Sequence, residues 1–170
     1  MSWDKGIAFE YAYAKIKKQF QKSKKPTHRV YNAILLIQVR NGCRISEAVD
    51  AFIEFVKTKK FEVLTRVAKK KNAEERLIVI PSELRNENFN DCIDIIADRK
   101  KLLTRVKVFC LRKYGFNTHS LRYAFITYLL RNGIETPIVA KITKHSKLDM
   151  ILKYTQEKTA EAVLRAFDEI

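Results

Sequence analysis

The chain has 170 residues, 46% of them hydrophobic, which makes one domain with enough apolar material for a real core and excludes a wholly disordered protein. Its 34 Lys and Arg against 19 Asp and Glu give a formal charge of +15, so a polyanion is the expected partner, and only 4 Gly and 3 Pro leave the chain helix-friendly. Cys43, Cys92 and Cys110 are odd in number and lack metal-ligand spacing, which reads as buried thiols in a reducing cytosol, and no apolar run is long enough to span a bilayer.

Residues 4 to about 21 place Ile7, Ala8, Tyr11, Ala14, Ile16 and Phe20 at roughly helical spacing and predict a first amphipathic helix. Lys22, Lys24 and Lys25 ahead of Pro26 form a basic break, which reads either as a contact to a phosphate backbone or as a soluble linker. Residues 28–40 are nearly all apolar and predict a helix buried on most sides, ended by Asn41 and Gly42. Ser46 is the expected cap of the next helix, whose apolar positions are Ala48, Phe52, Ile53 and Phe55. Arg44 then falls in a turn between two buried helices and needs a partner; Glu47 is near enough, and a plain structural ion pair is the competing reading.

Residues 61–67 alternate with period two and residues 76–80 are a second β-rich run, which together predict a hairpin. Its charged tip, residues 68–75, carries Lys69, Lys70 and Lys71, a cluster that is most often solvated surface. Residues 86–90 read as a polar connection, followed by helices over about 91–97 and 102–114. The expected fold class is mainly α with one small antiparallel β-hairpin.

In the stretch from Thr118 to Tyr154, His119 and Arg122 stand at i and i+3 on one helical face. The stripe Leu121, Phe125, Tyr128 and Leu129 leaves Arg122 at its edge, with a buried stem and a presented guanidinium. Asn132 and Gly133 end that helix, and Thr136 is expected to cap the next one with Pro137 as its first residue. Ser146 and Asp149 have capping-box spacing, which puts His145 just before a third helix and Tyr154 about two turns into it. A helix N-terminus favours a phosphate, so an imidazole, an anion site and a phenol are expected close together. A last short helix is expected over residues 160–167.

Arg44 with Glu47, a lysine-tipped hairpin, His119 with Arg122, then His145 and, nine positions later, Tyr154 stand in an order that resembles the catalytic domain of tyrosine recombinases, the phage-integrase family. The resemblance covers nearly the whole chain. It implies the fold of that domain and site-specific DNA recombination through a 3′-phosphotyrosyl intermediate, with Tyr154 as nucleophile. Arg44, Arg122 and His145 would bind the phosphate, His119 would move a proton at the phenol, and Glu47 would orient the site. Lys71, with Lys70 and Lys69 as alternatives, would protonate the leaving oxygen, and Lys24, Lys25 and Lys144 would contact DNA. No metal or other cofactor is implied; the partners are double-stranded DNA and further copies of the chain, as a dimer or tetramer, in the cytoplasm. A non-catalytic DNA-binding accessory and a type IB topoisomerase-like relaxing enzyme are the alternatives.

The domain reading is a single catalytic domain over residues 1–170: an N-terminal helix and basic linker (1–25), a core (26–154) and a C-terminal helix (155–170), without the N-terminal clamp domain usual in the family. Two departures stand out. Thr143 and Lys144 precede His145 where the family usually has Leu-Gly, and the interval from Arg44 to His119 is short, which suggests trimmed connections over residues 86–101. The lysine-rich, glycine-poor composition is similar to archaeal and archaeal-virus integrases.

Overall fold

A computed structural model describes residues 6–68, 74–144 and 164–166. The fold is built around α2 (Pro26–Asn41), in which every residue from Val30 to Val39 is buried. A helix without a polar face must be covered all round. The covering elements are α1 (Phe9–Lys22), α3 (Ile45–Thr58), α6 (Arg99–Tyr114) and α7 (Thr118–Arg131). Two of its buried polar side chains find partners: Asn32 accepts from the Tyr114 hydroxyl at 2.5 Å, and Gln38 Nε2 donates to the Cys43 carbonyl at 3.3 Å.

The mainly helical fold with one small antiparallel sheet is the expected class. Strand β1 (Glu62–Arg66) pairs with β2 (Glu75–Val79) in a register that sets Thr65 opposite Arg76 and Leu64 opposite Leu77. Val63, Thr65, Arg76 and Ile78 face inward, while the Leu64 and Leu77 pair is exposed. The base of the tip is closed by the Val67 N–H donating to the Glu74 carbonyl at 2.8 Å. The Asn41 side chain grips the second strand like an extra rung. Its Nδ2 donates to the Val79 carbonyl and its Oδ1 accepts from the Val79 N–H, both at 2.9 Å. The C-terminus of α2 and the hairpin therefore form one unit.

After the hairpin come α4 (Ser82–Arg85), a 3₁₀ turn (Asn90–Cys92) and α5 (Ile93–Ile96). The connection read as polar conceals Phe89, which is fully buried against Phe52, Phe55 and Phe20, with the Arg29 guanidinium 4.4 Å from its ring centre. The helix expected over residues 91–97 is thus two short pieces. Asp98 caps α6 by accepting from the Lys101 N–H at 3.1 Å. Finally, α8 (Thr136–Thr143) packs Val139 and Ala140 on Tyr123 and Ile126 of α7, a second small core.

Several helix starts differ from the expectation: α2 begins at Pro26 rather than residue 28, and α6 at Arg99 rather than residue 102. α1 begins at Phe9, beyond Gly6 at a left-handed φ of 62°. α3 begins at Ile45, so Ser46 lies inside it; the cap position is Arg44, in extended conformation, and the Glu47 carboxylate accepts from the Arg44 N–H at 3.2 Å. That bond satisfies a helix-start donor that a serine cap would have left to water. Glu135 rather than Thr136 caps α8, which moves Pro137 to the second position. At the far end only the turn Leu164–Ala166 of the expected last helix falls among the described residues, and it is exposed.

Candidate active site

The turn joining α2 to α3 positions the first functional side chain. Gly42 holds φ at 62°, and a Cβ placed there would lie 2.1 Å from Cδ1 of Phe125 on α7. Only glycine lets the turn and the helix come this close. The contact brings α7 against the start of α3, and so brings Arg122 towards Arg44.

Arg122 is 3% exposed. Its Nη1 donates to the Gly42 carbonyl at 2.8 Å and its Nη2 to the Thr143 carbonyl at 2.9 Å. The first bond fixes it to the turn just before Arg44. The second fixes it to the last residue of α8, where carbonyls lack helical partners and a cation is favoured. This corrects the expectation of an edge position with a presented guanidinium: from Ser120 to Ile126 every residue of α7 is buried, because α1, α2, α6 and α8 all pack on that helix. A single apolar stripe was too narrow a description. His119, in the first turn of α7, is exposed, so the two residues paired by spacing differ sharply in burial.

Arg44 is anchored by Glu47, a carboxylate that is 1% exposed. Oε2 accepts from Arg44 Nη1 at 3.2 Å and from the Ala68 N–H at 3.0 Å, while Oε1 accepts from the Arg44 N–H at 3.2 Å and from Arg76 Nη1 at 3.4 Å. The expected partnership of Glu47 with Arg44 is present, and Glu47 also holds the residue that leads into the lysine tip. Arg76, which the sequence reading passed over, is 2% exposed and donates from Nη2 to the Asn41 carbonyl at 2.9 Å. Its Nε is buried without a hydrogen-bond partner. Period-two alternation did carry a signal, since Arg76 shares the inner strand face with Ile78, and a cation on a core face requires an acceptor.

Arg44 and Arg76 therefore share the Glu47 carboxylate, and Arg122 stands close enough for its charge to feel all three groups. Burial lowers the Arg122 pKa to about 10, and the neighbouring Arg44 charge pushes in the same direction, as does Arg76 more weakly. Arg122 therefore stays protonated at neutral pH. Arg44 keeps a fifth of its side chain exposed, so it forms the accessible edge of the cluster. The Cys43 thiol beside them is pushed up to about 12 by burial, which rules it out as a nucleophile near neutral pH.

The remaining candidates are more dispersed. Lys144 ends α8 in a left-handed conformation and pairs with Glu74 at the hairpin base, 3.3 Å away. Lys24 and Lys25 are exposed in the break before α2, about 24 Å of helix from the Gly42 turn at 1.5 Å per residue. Lys69, Lys70, Lys71, His145 and Tyr154 lie outside the described residues, although Ala68 and Lys144 are the immediate chain neighbours of two of them.

Comparison with known proteins bears on the family and the fold. The sequence model of the phage integrase family matches residues 12–161. A protein of Acidianus two-tailed virus that is named as an integrase is 40% identical over 167 residues, covering 96% of this chain and 68% of that protein. Among solved structures, the XerH site-specific recombinase bound to its difH substrate superposes with a TM-score of 0.58 at 20% identity, over 92% of this chain and 51% of that one. The catalytic domain of bacteriophage HP1 integrase gives 0.53 at 21% identity, over 88% of each chain. These two likenesses show the fold, and this chain spans about half the length of the XerH chain (51%). From the family match and the viral relative together, the chain belongs to the phage integrase family, the tyrosine recombinases.

Proposed function

We propose that this chain cuts and rejoins double-stranded DNA at a specific site through a covalent phosphotyrosyl intermediate. The observation that carries the reading is the convergence of Arg44 and Arg122, close enough to feel each other's charge, on one cationic cluster with Arg44 at its accessible edge. Such a cluster suits an oxyanion, and the five-coordinate transition state of a phosphodiester gains negative charge on its non-bridging oxygens as it forms. Planar guanidinium forks match that geometry better than lysines would.

Tyr154 is the nucleophile in this reading. Its oxygen bonds to phosphorus while the bond to the 5′ oxygen breaks, which leaves a 3′-phosphotyrosyl link and a free 5′ hydroxyl. A phenol with an ordinary pKa near about 10 needs help at neutral pH. His119 takes its proton, and Arg44, Arg122 and His145 supply the positive field. A hairpin lysine protonates the leaving oxygen, Lys71 first and Lys70 or Lys69 next. Attack by the same or an exchanged 5′ hydroxyl reverses the step without loss of bond energy, so these residues need no nucleotide hydrolysis to complete the cycle. Lys24, Lys25 and Lys144 would add backbone contacts, and exchange between two duplexes would require self-association.

A duplex carrying a nick just beyond the scissile phosphate tests this, because loss of the short fragment traps the intermediate. A denaturation-resistant protein–DNA adduct is expected, absent in Tyr154→Phe and reduced at least about 100-fold in Arg44→Ala. Salt-sensitive duplex binding that never yields an adduct on an authentic site would instead indicate a DNA-binding accessory.

A further inference from the structure

We infer that Arg76 is a positioning residue for strand cleavage, acting by dividing the Glu47 carboxylate so that Arg44 is left free to face the phosphate. The inference rests on the proposed function and extends it to a residue outside the expected catalytic set.

Glu47 is buried and must be paired. If Arg44 were its sole cationic partner, both carboxylate oxygens would turn to the one guanidinium in the two-bond arrangement that such pairs favour. Arg44 would then be bound edge-on to Glu47, with its charge spent there. In the structure Arg76 takes Oε1 through Nη1, and Arg44 keeps one guanidinium contact, Nη1 to Oε2. The rest of the Arg44 fork is uncommitted among the described residues.

Arg76 is suited to this task and to little else. It is almost wholly buried, so it cannot itself reach DNA. Its second nitrogen is fixed to the Asn41 carbonyl, and Asn41 is the residue whose side chain grips the same strand at Val79. The fork is therefore aimed from both ends. Its unpartnered Nε and the unpartnered hydroxyl of Thr65, opposite it in register, show that the position is not optimised for hydrogen bonding alone. A buried cation with an unsatisfied donor is costly, and a neutral apolar residue would fill the strand position at lower cost.

The test compares two nicked duplexes that differ only at the scissile phosphate: the ordinary diester, and a methylphosphonate in which a methyl group replaces one charged non-bridging oxygen. A site that has lost the use of Arg44 is penalised on the diester and much less on the neutral analogue. Arg44→Ala is the reference, and all rates are read below the unfolding temperature of each variant. Arg76→Met is expected to lower diester cleavage about 100-fold while methylphosphonate cleavage stays within about threefold of the native chain, matching the Arg44→Ala pattern. Arg76→Lys, which keeps the charge but cannot bridge Glu47 and Asn41 together, should fall between, and it decides the matter where Arg76→Met does not fold. Equal losses on both substrates, or an unchanged diester rate, would overturn the inference. A native chain that yields no adduct, or an Arg44→Ala variant that lacks the charge signature, would overturn the proposed function, and the role of Arg76 with it.

Discussion

Alanine at position 42 meets two separable costs. The backbone there holds φ at 62°, where an L side chain costs about 1–2 kcal/mol. The new Cβ would also fall 2.1 Å from Cδ1 of Phe125 and 2.9 Å from Cγ and Cε1, and that ring is itself buried. Forcing it aside is overpacking, worth about 1–3 kcal/mol. Gly115 provides the control: its φ is 76°, yet a Cβ there meets nothing within 4 Å, so Gly115→Ala bears the first cost alone. At about 2–4 °C per kcal/mol for a chain of this size, Gly42→Ala should melt about 2–12 °C below Gly115→Ala. The functional consequence is larger, because the Gly42 carbonyl receives Arg122 and the turn leads directly into Arg44. Adduct formation at a temperature where both variants are folded should drop in Gly42→Ala and be spared in Gly115→Ala. Equal melting temperatures, or native cleavage by Gly42→Ala, would refute the claim that this glycine sets the approach of α7.

Three further outcomes can be checked by unfolding measurements. Glu47→Gln leaves the buried Arg76 charge without its anion and should cost about 3–5 kcal/mol in urea unfolding, whereas an exposed ion pair such as Arg99 with Asp50 should cost under about 1 kcal/mol. Phe89→Ala should cost about 3–5 kcal/mol, as expected of a core aromatic; a loss under about 1 kcal/mol would mean that the connection is the surface loop its sequence suggests. Burial raises the thiols of Cys43, Cys92 and Cys110 from 9.0 to about 12. Stability that depends on neutral thiols is complete below pH 9 and declines as pH rises towards 12, by up to about 1.4 kcal/mol per pH unit for each group. Arg122 has the opposite sign, since its pKa is lowered to about 10 and its buried charge is relieved above that value. The thiols therefore dominate the interval from pH 9 to 10, where the Tyr13 and Tyr114 phenols, also raised by burial, only begin to add to the loss, and a flat profile there would contradict the thiols' burial.

Much of the fold was legible because local signals and packing agreed. The nearly all-apolar run of α2 predicted a central helix, and Asn41 with Gly42 predicted its end. What escaped the sequence were residues whose partners are distant in the chain. Phe89 sits among asparagines and acidic residues, and its partners Phe52 and Phe55 lie more than thirty positions earlier. Arg76 was hidden for the same reason: its acceptors, Glu47 and Asn41, belong to the end of one helix and the start of another. Spacing correctly grouped Arg44 with Glu47, a pair close in sequence. It misjudged Arg122, because periodicity ranks the faces of a helix but cannot count how many neighbours will cover them.

The bonds that hold this fold together are also those that aim the cationic cluster. Asn41 fastens the hairpin to α2, its carbonyl fixes Arg76, Arg76 shares Glu47 with Arg44, and Glu47 receives the backbone of Ala68 at the mouth of the lysine tip. Arg122 ties the Gly42 turn to the end of α8, immediately before the segment that carries His145 and Tyr154. A rigid, buried Arg122 and a partly exposed Arg44 thus have different tasks. In the proposed reaction the first would fix where the positive field stands, and the second would adjust as the phosphate moves towards five-coordination. Donors preorganised by folding need not reorganise during the reaction, and this is the condition under which electrostatic stabilisation is most effective.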